Sequence, residues 1–312
     1  MEPRPEDYEF DLELAVEAVV GVTAIIPEDA MTADVLGTER SGNGVMIGDG
    51  LVLTIGYLVT EAETIWLSLA DGTTVQGHVL GYDQETGFGL IQALARLPQP
   101  GLKLGDSDKT LIGEKVVVCG FGGRDQSVAA EVVTKQEFAG YWEYVLDEAI
   151  FTAPAHPHWG GTAVVNQNGE LIGIGSLQVQ HAEVGNENVD LNMIVPINLL
   201  KPILDDLRTI GKRSTPARPW IGVYAADIDD NIVVAGIASG GPADDADLNI
   251  GDIILAVNGH EVSELGQFFR YIWDLGEAGV EIPLQIHREG QSMDVVLQSI
   301  DRRDLLKSPV IH

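Results

Sequence analysis

The chain has 312 residues, with 18 Lys and Arg against 48 Asp and Glu, a formal net charge of −30 and 45% hydrophobic residues. At ~100–200 residues per domain this length predicts two domains, and the apolar fraction is that of a chain that buries a core rather than an acidic disordered tail. The charge works against non-specific nucleic-acid binding and disfavours anionic membrane surfaces, because both are held by clustered Lys and Arg and no such cluster appears. No stretch approaches 18 apolar residues, so no membrane insertion is expected. The start, Met1-Glu2-Pro3-Arg4-Pro5-Glu6-Asp7, lacks the basic and apolar regions of a secretory signal. The expected location is the cytoplasm, or the periplasm if a leader has been removed. The single cysteine, Cys119, lies in the apolar run Val116-Val117-Val118-Cys119 and reads as a buried structural thiol.

In chain order, Leu12–Val20 predicts a short helix, followed by a strand at Gly21–Ile26. Beyond Ser41 short apolar runs alternate with turn residues, as in Val45-Met46-Ile47, Gly48-Asp49-Gly50 and Leu51-Val52-Leu53-Thr54, the pattern of an all-β barrel or sandwich. Ile65–Leu69, the turn Asp71-Gly72 and a return strand through Val75 and Val79 predict a hairpin. Further strands are expected at Lys115–Cys119, Ser127–Thr134, Tyr144–Phe151, Thr162–Asn166 and Leu171–Ser176. Pro196 followed by Leu199, Leu200, Ile203, Leu204 and Leu207 predicts a helix from Ile197 to Leu207. The polar stretch Gly211–Arg218 reads as a linker, and some 90 residues remain for a small second domain.

Several strings then carry a resemblance. They are Ser41-Gly42-Asn43-Gly44-Val45, Leu104-Gly105-Asp106-Ser107-Asp108, Gly160-Gly161 with Asn166–Ile174, and Val195-Pro196-Ile197-Asn198 with Lys201–Leu204. In the C-terminal part they are Pro219–Val223, Gly241-Pro242-Ala243 and Gly251–Gly259. In this order they resemble the HtrA/Deg family of serine proteases. The resemblance implies a mainly β fold: a trypsin-like double six-stranded β-barrel over residues 1–213, a PDZ domain (a β-sandwich with two helices) over 214–306, and a tail at 307–312.

The catalytic positions depart from the family. Its L-T-N-N-H-V-V aligns with Leu53–Val59, which puts Tyr57 at the general base. Its T-D-L-A-L aligns with Thr86–Leu90, which puts Gly87 at the orienting aspartate. Its G-N-S-G-G aligns with Pro157–Gly161, which puts Trp159 at the nucleophile. A phenol with a reference pKa near ~10 is a poor proton acceptor, and an indole cannot attack a carbonyl. Pro157, at an oxyanion position, has no N–H to donate. The expectation from these four positions is a pseudoenzyme with no catalytic residues.

Other features read more plainly. His156 and His158 form a weak candidate metal pair without a third ligand, and two polar loop residues filling vacated space is the preferred reading. His78, His181, His260, His287 and His312 carry no motif. Ser41, Thr162 and Ser176 have no predicted histidine partner, and Gly120–Gly123 lacks the Walker lysine. In the PDZ-like part, the resemblance implies capture of peptide C-termini as an added strand. The carboxylate is held at Trp220-Ile221-Gly222-Val223, and Phe268 and Phe269 on a flanking helix line the groove or the core. Asp247 stands where the family usually has glycine. Tyr8-Glu9-Phe10 is implied as a trimer contact. The expected function is a non-catalytic peptide-binding chaperone, adaptor or scaffold. The alternatives are a hydrolase with a rebuilt or metal-assisted site, and a structural subunit docking a specific partner around Trp159. No cofactor is expected.

Overall fold

The computed structural model describes residues 2–98, 100–184 and 187–308; the end of the tail, with His312, lies outside the described residues, as does the side chain of His181. By contacts the chain divides into two units. Among the described residues, one comprises those of 2–136, 148–213 and 308; the other comprises 137–147 and 214–307. The second therefore includes a segment, 137–147, that the sequence reading assigns to the barrels.

The first unit opens with helix α1 (Leu12–Glu17) and strand β1 (Val19–Ile25). The helix is shorter than predicted because the β-branched pair Val19 and Val20 enters the sheet. Strands β2 (Glu39–Gly48), β3 (Leu51–Ile55), β4 (Thr64–Ser68), β5 (Thr74–Tyr82) and β6 (Phe88–Ala93) close with β1 into a barrel of order β1-β2-β3-β6-β5-β4. The one-turn helix α2 (Ala33–Leu36) lies between β1 and β2. Asp49 and Gly50 join β2 to β3 with φ of 52° and 72°. Asp-Gly suits that pair because both positions of such a two-residue turn need positive φ.

Strands β7 (Lys115–Cys119), β8 (Ser127–Gly140), β9 (Tyr144–Ala153), β10 (Ala163–Val165), β11 (Leu171–Val184) and β12 (Glu187–Pro196) close the second barrel in the order β10-β11-β12-β9-β8-β7. Its core gathers Val116, Val118, Ala130, Val132, Ile150, Val164, Ile172 and Ile194. Cys119 is fully buried, and desolvation pushes its thiol up to about 12, so it is a packing residue. Tyr8 and Phe10 pack on each other with ring centroids 5.4 Å apart, and Phe10 lies over Gly169. The helix predicted over 197–207 is broken: a 3-10 turn at Ile197–Leu199 precedes α3 (Leu204–Ile210). Pro202 explains the break, since it lacks an N–H and disfavours helical backbone at Lys201.

In the second unit the sheet runs β13-β14-β15-β17-β18, with β16 paired to β15. These strands are β13 (Val223–Ile228), β14 (Asn231–Ile237), β15 (Ile253–Val257), β16 (His260–Glu261), β17 (Glu281–Arg288) and β18 (Gln291–Gln298). Helices α4 (Pro242–Asp245) and α5 (Leu265–Trp273) complete it. Leu265, Phe268, Phe269 and Ile272 recur at i, i+3, i+4 and i+7, so α5 buries one stripe. That stripe packs with Ile221, Val223, Ala225, Ile254, Ile282, Ile286 and Leu297. The two six-stranded barrels and the PDZ-type sheet with two helices are the architecture that the resemblance implies. Among the described residues no helix is long and apolar enough to cross a membrane.

Candidate functional site

In the first unit, the three positions aligned with a catalytic triad come together. Tyr57 sits in the turn after β3, and its hydroxyl donates to the Ser176 carbonyl at 2.8 Å. Burial pushes the phenol well above its ordinary value, and hydrogen bonding with the Trp159 side chain offsets this only in part. A Cβ on Gly160 would lie 2.6 Å from the Tyr57 hydroxyl, so this ring fills the space beside the Trp159 loop. Gly87 has φ of 81°, a left-handed backbone, and its carbonyl accepts from the Gly56 N–H at 2.6 Å. The carboxylate in that turn, Asp83, is committed elsewhere. It accepts from the Thr86 N–H and hydroxyl and pairs with Arg213 at 2.7 Å.

The turn carrying Tyr57 is held from below by Arg40, whose buried guanidinium donates to the carbonyls of Tyr57 (2.8 Å), Thr60 and Thr32. Burial draws that guanidinium down to about 10. The loop carrying Trp159 is held by Asn43, whose amide donates to the carbonyls of His158 and Gly160 while its oxygen accepts from the Phe121 N–H. Gly161 has φ of 78°, and a Cβ there would meet the Asn43 carbonyl oxygen, so only glycine fits.

His156 is buried, and its environment accounts for both ring nitrogens. Nδ1 accepts from the His158 N–H at 3.0 Å, which leaves Nε2 to donate to the Gln126 carbonyl at 2.7 Å. Desolvation lowers its pKa, which favours the neutral imidazole. His158 and Pro157 are exposed. Among the described residues no group of three His, Cys, Asp or Glu is arranged to hold a metal.

In the second unit, the backbone N–H groups of Ile221, Gly222 and Val223 converge on one carboxylate, that of Glu143. Gly222 donates to Oε1 at 2.8 Å, Val223 to Oε1 at 3.1 Å, and Ile221 lies 3.3 Å from both oxygens. Gly222 makes this possible with φ of 76°, turning successive N–H groups to one side. Trp220 takes a different part: its own N–H donates to the Ile300 carbonyl, and its ring covers Gly222 and Gly241 and lies 5.7 Å from the Arg302 guanidinium. Phe268 and Phe269 are both fully buried in the core, with Phe269 stacked on Trp273. Neither faces an open groove.

Glu143 lies at the tip of the β8–β9 hairpin, with φ of 60°. Two residues before it, the Tyr141 carbonyl accepts from the Ala225 N–H at 2.9 Å, on the edge strand β13. Desolvation raises the Glu143 carboxyl to about 7, opposed by the three N–H donors and by Arg302. Sequence reasoning missed both residues. The available signal was the aromatic, acid-bearing run Gly140-Tyr141-Trp142-Glu143-Tyr144 between two predicted strands.

Comparison with known proteins agrees with this geometry in domain order. A trypsin-like peptidase domain model matches residues 42–174, and a PDZ domain model matches 219–298. The chain is 28% identical over 282 residues to a probable periplasmic serine endoprotease DegP-like protein of Pseudomonas putida, covering 85% of this chain and 57% of that protein. It is 27% identical over 278 residues to a probable periplasmic serine protease do/HhoA-like protein of Haemophilus influenzae, covering 82% and 57%. The chain thus spans little more than half the length of these curated relatives. Its fold is similar to that of the HtrA-type protease AlgW solved with a decapeptide (TM-score 0.55, 20% identity, covering 96% of this chain and 100% of that chain). It is also similar to the serine endoprotease from Yersinia pestis (TM-score 0.52, 22% identity, covering 94% and 98%).

These relatives correct two expectations. They are named serine endoproteases, so the assignment of the chain as no enzyme, drawn from the side chains of Tyr57, Gly87, Trp159 and Pro157 alone, is overturned, and the relationship points to a protease. They are also named periplasmic, which supports the periplasmic alternative and leaves the cytoplasmic expectation without support. With two six-stranded barrels, a PDZ domain and matches to relatives over most of its length, the chain is similar to the HtrA/Deg proteases in fold and in domain order.

Proposed function

We propose that the chain captures protein C-termini at the Ile221–Val223 loop and serves its partners as a chaperone, adaptor or assembly scaffold. The observation that carries this reading is the convergence of three backbone N–H groups on one carboxylate beside the edge strand β13. Backbone donors of this kind hold a terminal carboxylate through charge-assisted bonds, and an unpaired strand edge accepts an extended peptide as a further strand. The net charge of −30 favours neutral or cationic partner segments over polyanions. The working division is 1–213 and 214–306, with a tail at 307–312. The proposed setting is the periplasm, after the relatives' names, and the proposed assembly is a trimer through the segment with Tyr8 and Phe10, after the family resemblance.

Fluorescence anisotropy tests the binding reading. The probes are a panel of fluorescein-labelled decapeptides with varied last three residues and a free α-carboxylate, beside the same panel amidated at the C-terminus. Binding of members of the free-acid panel, lost on amidation, is expected. Equal binding of both forms contradicts the reading.

A second reading rests on the relatives' names and is endoproteolysis by the barrel unit. Its chemistry would lie in groups other than the side chains at 57, 87 and 159, which are a phenol, a hydrogen and an indole. Cleavage of unfolded casein that co-elutes with the purified chain supports this reading, and intact casein across a concentration series of the chain contradicts it.

A further inference from the structure

The carboxylate loop of the second unit already holds a carboxylate, and it belongs to the chain itself. Glu143 is held as a peptide's terminal group would be, by the N–H groups of Ile221, Gly222 and Val223. The peptide analogy extends to the backbone. Tyr141, two residues before Glu143, gives its carbonyl to the Ala225 N–H on β13, two residues after Val223. One short run of chain therefore supplies both the carboxylate and an edge-strand contact that strand addition requires. The Tyr141 ring meets Tyr224 edge-on at 6.0 Å, while Trp142 turns back to stack on Tyr144 at 5.4 Å.

We propose that the β8–β9 hairpin tip is a tethered ligand of the carboxylate loop, with Glu143 standing in for a terminal carboxylate, so that a partner's C-terminus binds only by displacing it. The inference rests on the peptide-binding reading above and adds what regulates that site.

The base of the hairpin is anchored separately from its tip. Arg270 on α5 pairs with Glu137 at 2.7 Å and with Asp147 at 2.6 Å, one on each side of the hairpin. Val145 is buried in the core of the second unit, and Ala139 packs against that core. The tip is thus held at high effective concentration beside the loop, and lifting it leaves the base in place. Its strands, β8 and β9, are staves of the second barrel, so the segment that a peptide displaces is continuous with the barrel. A site that is open only a fraction of the time shows an affinity lowered by that fraction.

The experiment uses the full chain as wild type, Glu143→Gln and Glu143→Ala, titrated with the free-acid decapeptide panel and followed by hydrogen exchange. Tighter binding by about tenfold or more in Glu143→Ala, with an intermediate gain in Glu143→Gln, is expected from removing the competitor. On the wild type, saturating peptide should speed exchange across 138–146 while 221–225 stays protected, a readout that needs no variant. Peptide that binds all three proteins equally, or that binds the wild type without altering 138–146, overturns the tethered-ligand inference and leaves the binding reading intact. Peptide that binds none of the three overturns the binding reading and the inference with it.

Discussion

The region around Tyr57 and Trp159 and the loop at Ile221–Val223 both close on themselves, but by different means. In the barrel unit the aligned positions hold two aromatic side chains, Tyr57 hydrogen bonding with Trp159 and donating to the Ser176 carbonyl. What differs from the family resemblance there is residue identity, the side chains at Tyr57, Gly87 and Trp159 and the N–H that Pro157 lacks. In the second unit the groups that matter are backbone N–H groups, which any residue but proline supplies, and the backbone conformation is set by Gly222. A carboxylate site of this kind is retained as long as the turn is retained, and its use is governed by what occupies it. The comparison teaches that one region is defined by the identity of its residues and the other by the availability of its backbone.

The largest effect that would sharpen this contrast lies in the scaffold of the second unit. Asp252, 1% exposed, is paired with Arg288 through two contacts of 2.6 and 2.7 Å. Arg288→Ala leaves a buried carboxylate without its cation, held by the Asn249 N–H, and should lower the stability of that unit in chemical denaturation by more than the variants below. Next, Trp159→Ala removes a partly exposed indole from Tyr57 and should cost roughly 2 kcal/mol of barrel stability, below the range for a fully buried aromatic. The same variant should leave decapeptide affinity unchanged; a change there would break the separation of the two regions. Glu143→Ala is expected to raise decapeptide affinity about tenfold, equivalent to ~1.4 kcal/mol, with barrel stability unaltered.

The smallest effect is on pH dependence. The Glu143 carboxyl is raised from 4.5 to about 7 when docked, so the docked tip binds protons more tightly than the free tip. Docking is therefore strongest below about 4.5 and weakens as pH rises through about 7. Tyr224 and Arg302 face the same carboxylate; Arg302 and the three N–H donors favour its ionised form, but desolvation outweighs them. Exchange at 138–146, corrected for intrinsic rates, should be slower at pH 5 than at pH 8. Faster exchange at pH 5 would reverse the assigned sign.

Much of this architecture is legible in the chain because local signals and global fold agree. Asp49-Gly50, Asn258-Gly259 and Glu289-Gly290 each take positive φ at both residues and mark tight hairpins. The stripe on α5 marks its buried face, although it did not tell core from groove for Phe268 and Phe269, since burial depends on which elements pack above it. Pro202 was visible, yet the apolar spacing around it favoured a continuous helix until the missing N–H was weighed. Glu143 was not legible. Its partners lie 78 to 80 residues away, and no local pattern says which turn of a barrel reaches which loop.

The most direct test of the central claim is amide hydrogen exchange at Gly222, Val223 and Ala225 in the full chain without peptide, comparing wild type with Glu143→Ala. These N–H groups are held by the Glu143 carboxylate and the Tyr141 carbonyl. The tethered-ligand account predicts protection in the wild type and its loss at all three in the variant. Equal protection in both proteins would contradict it.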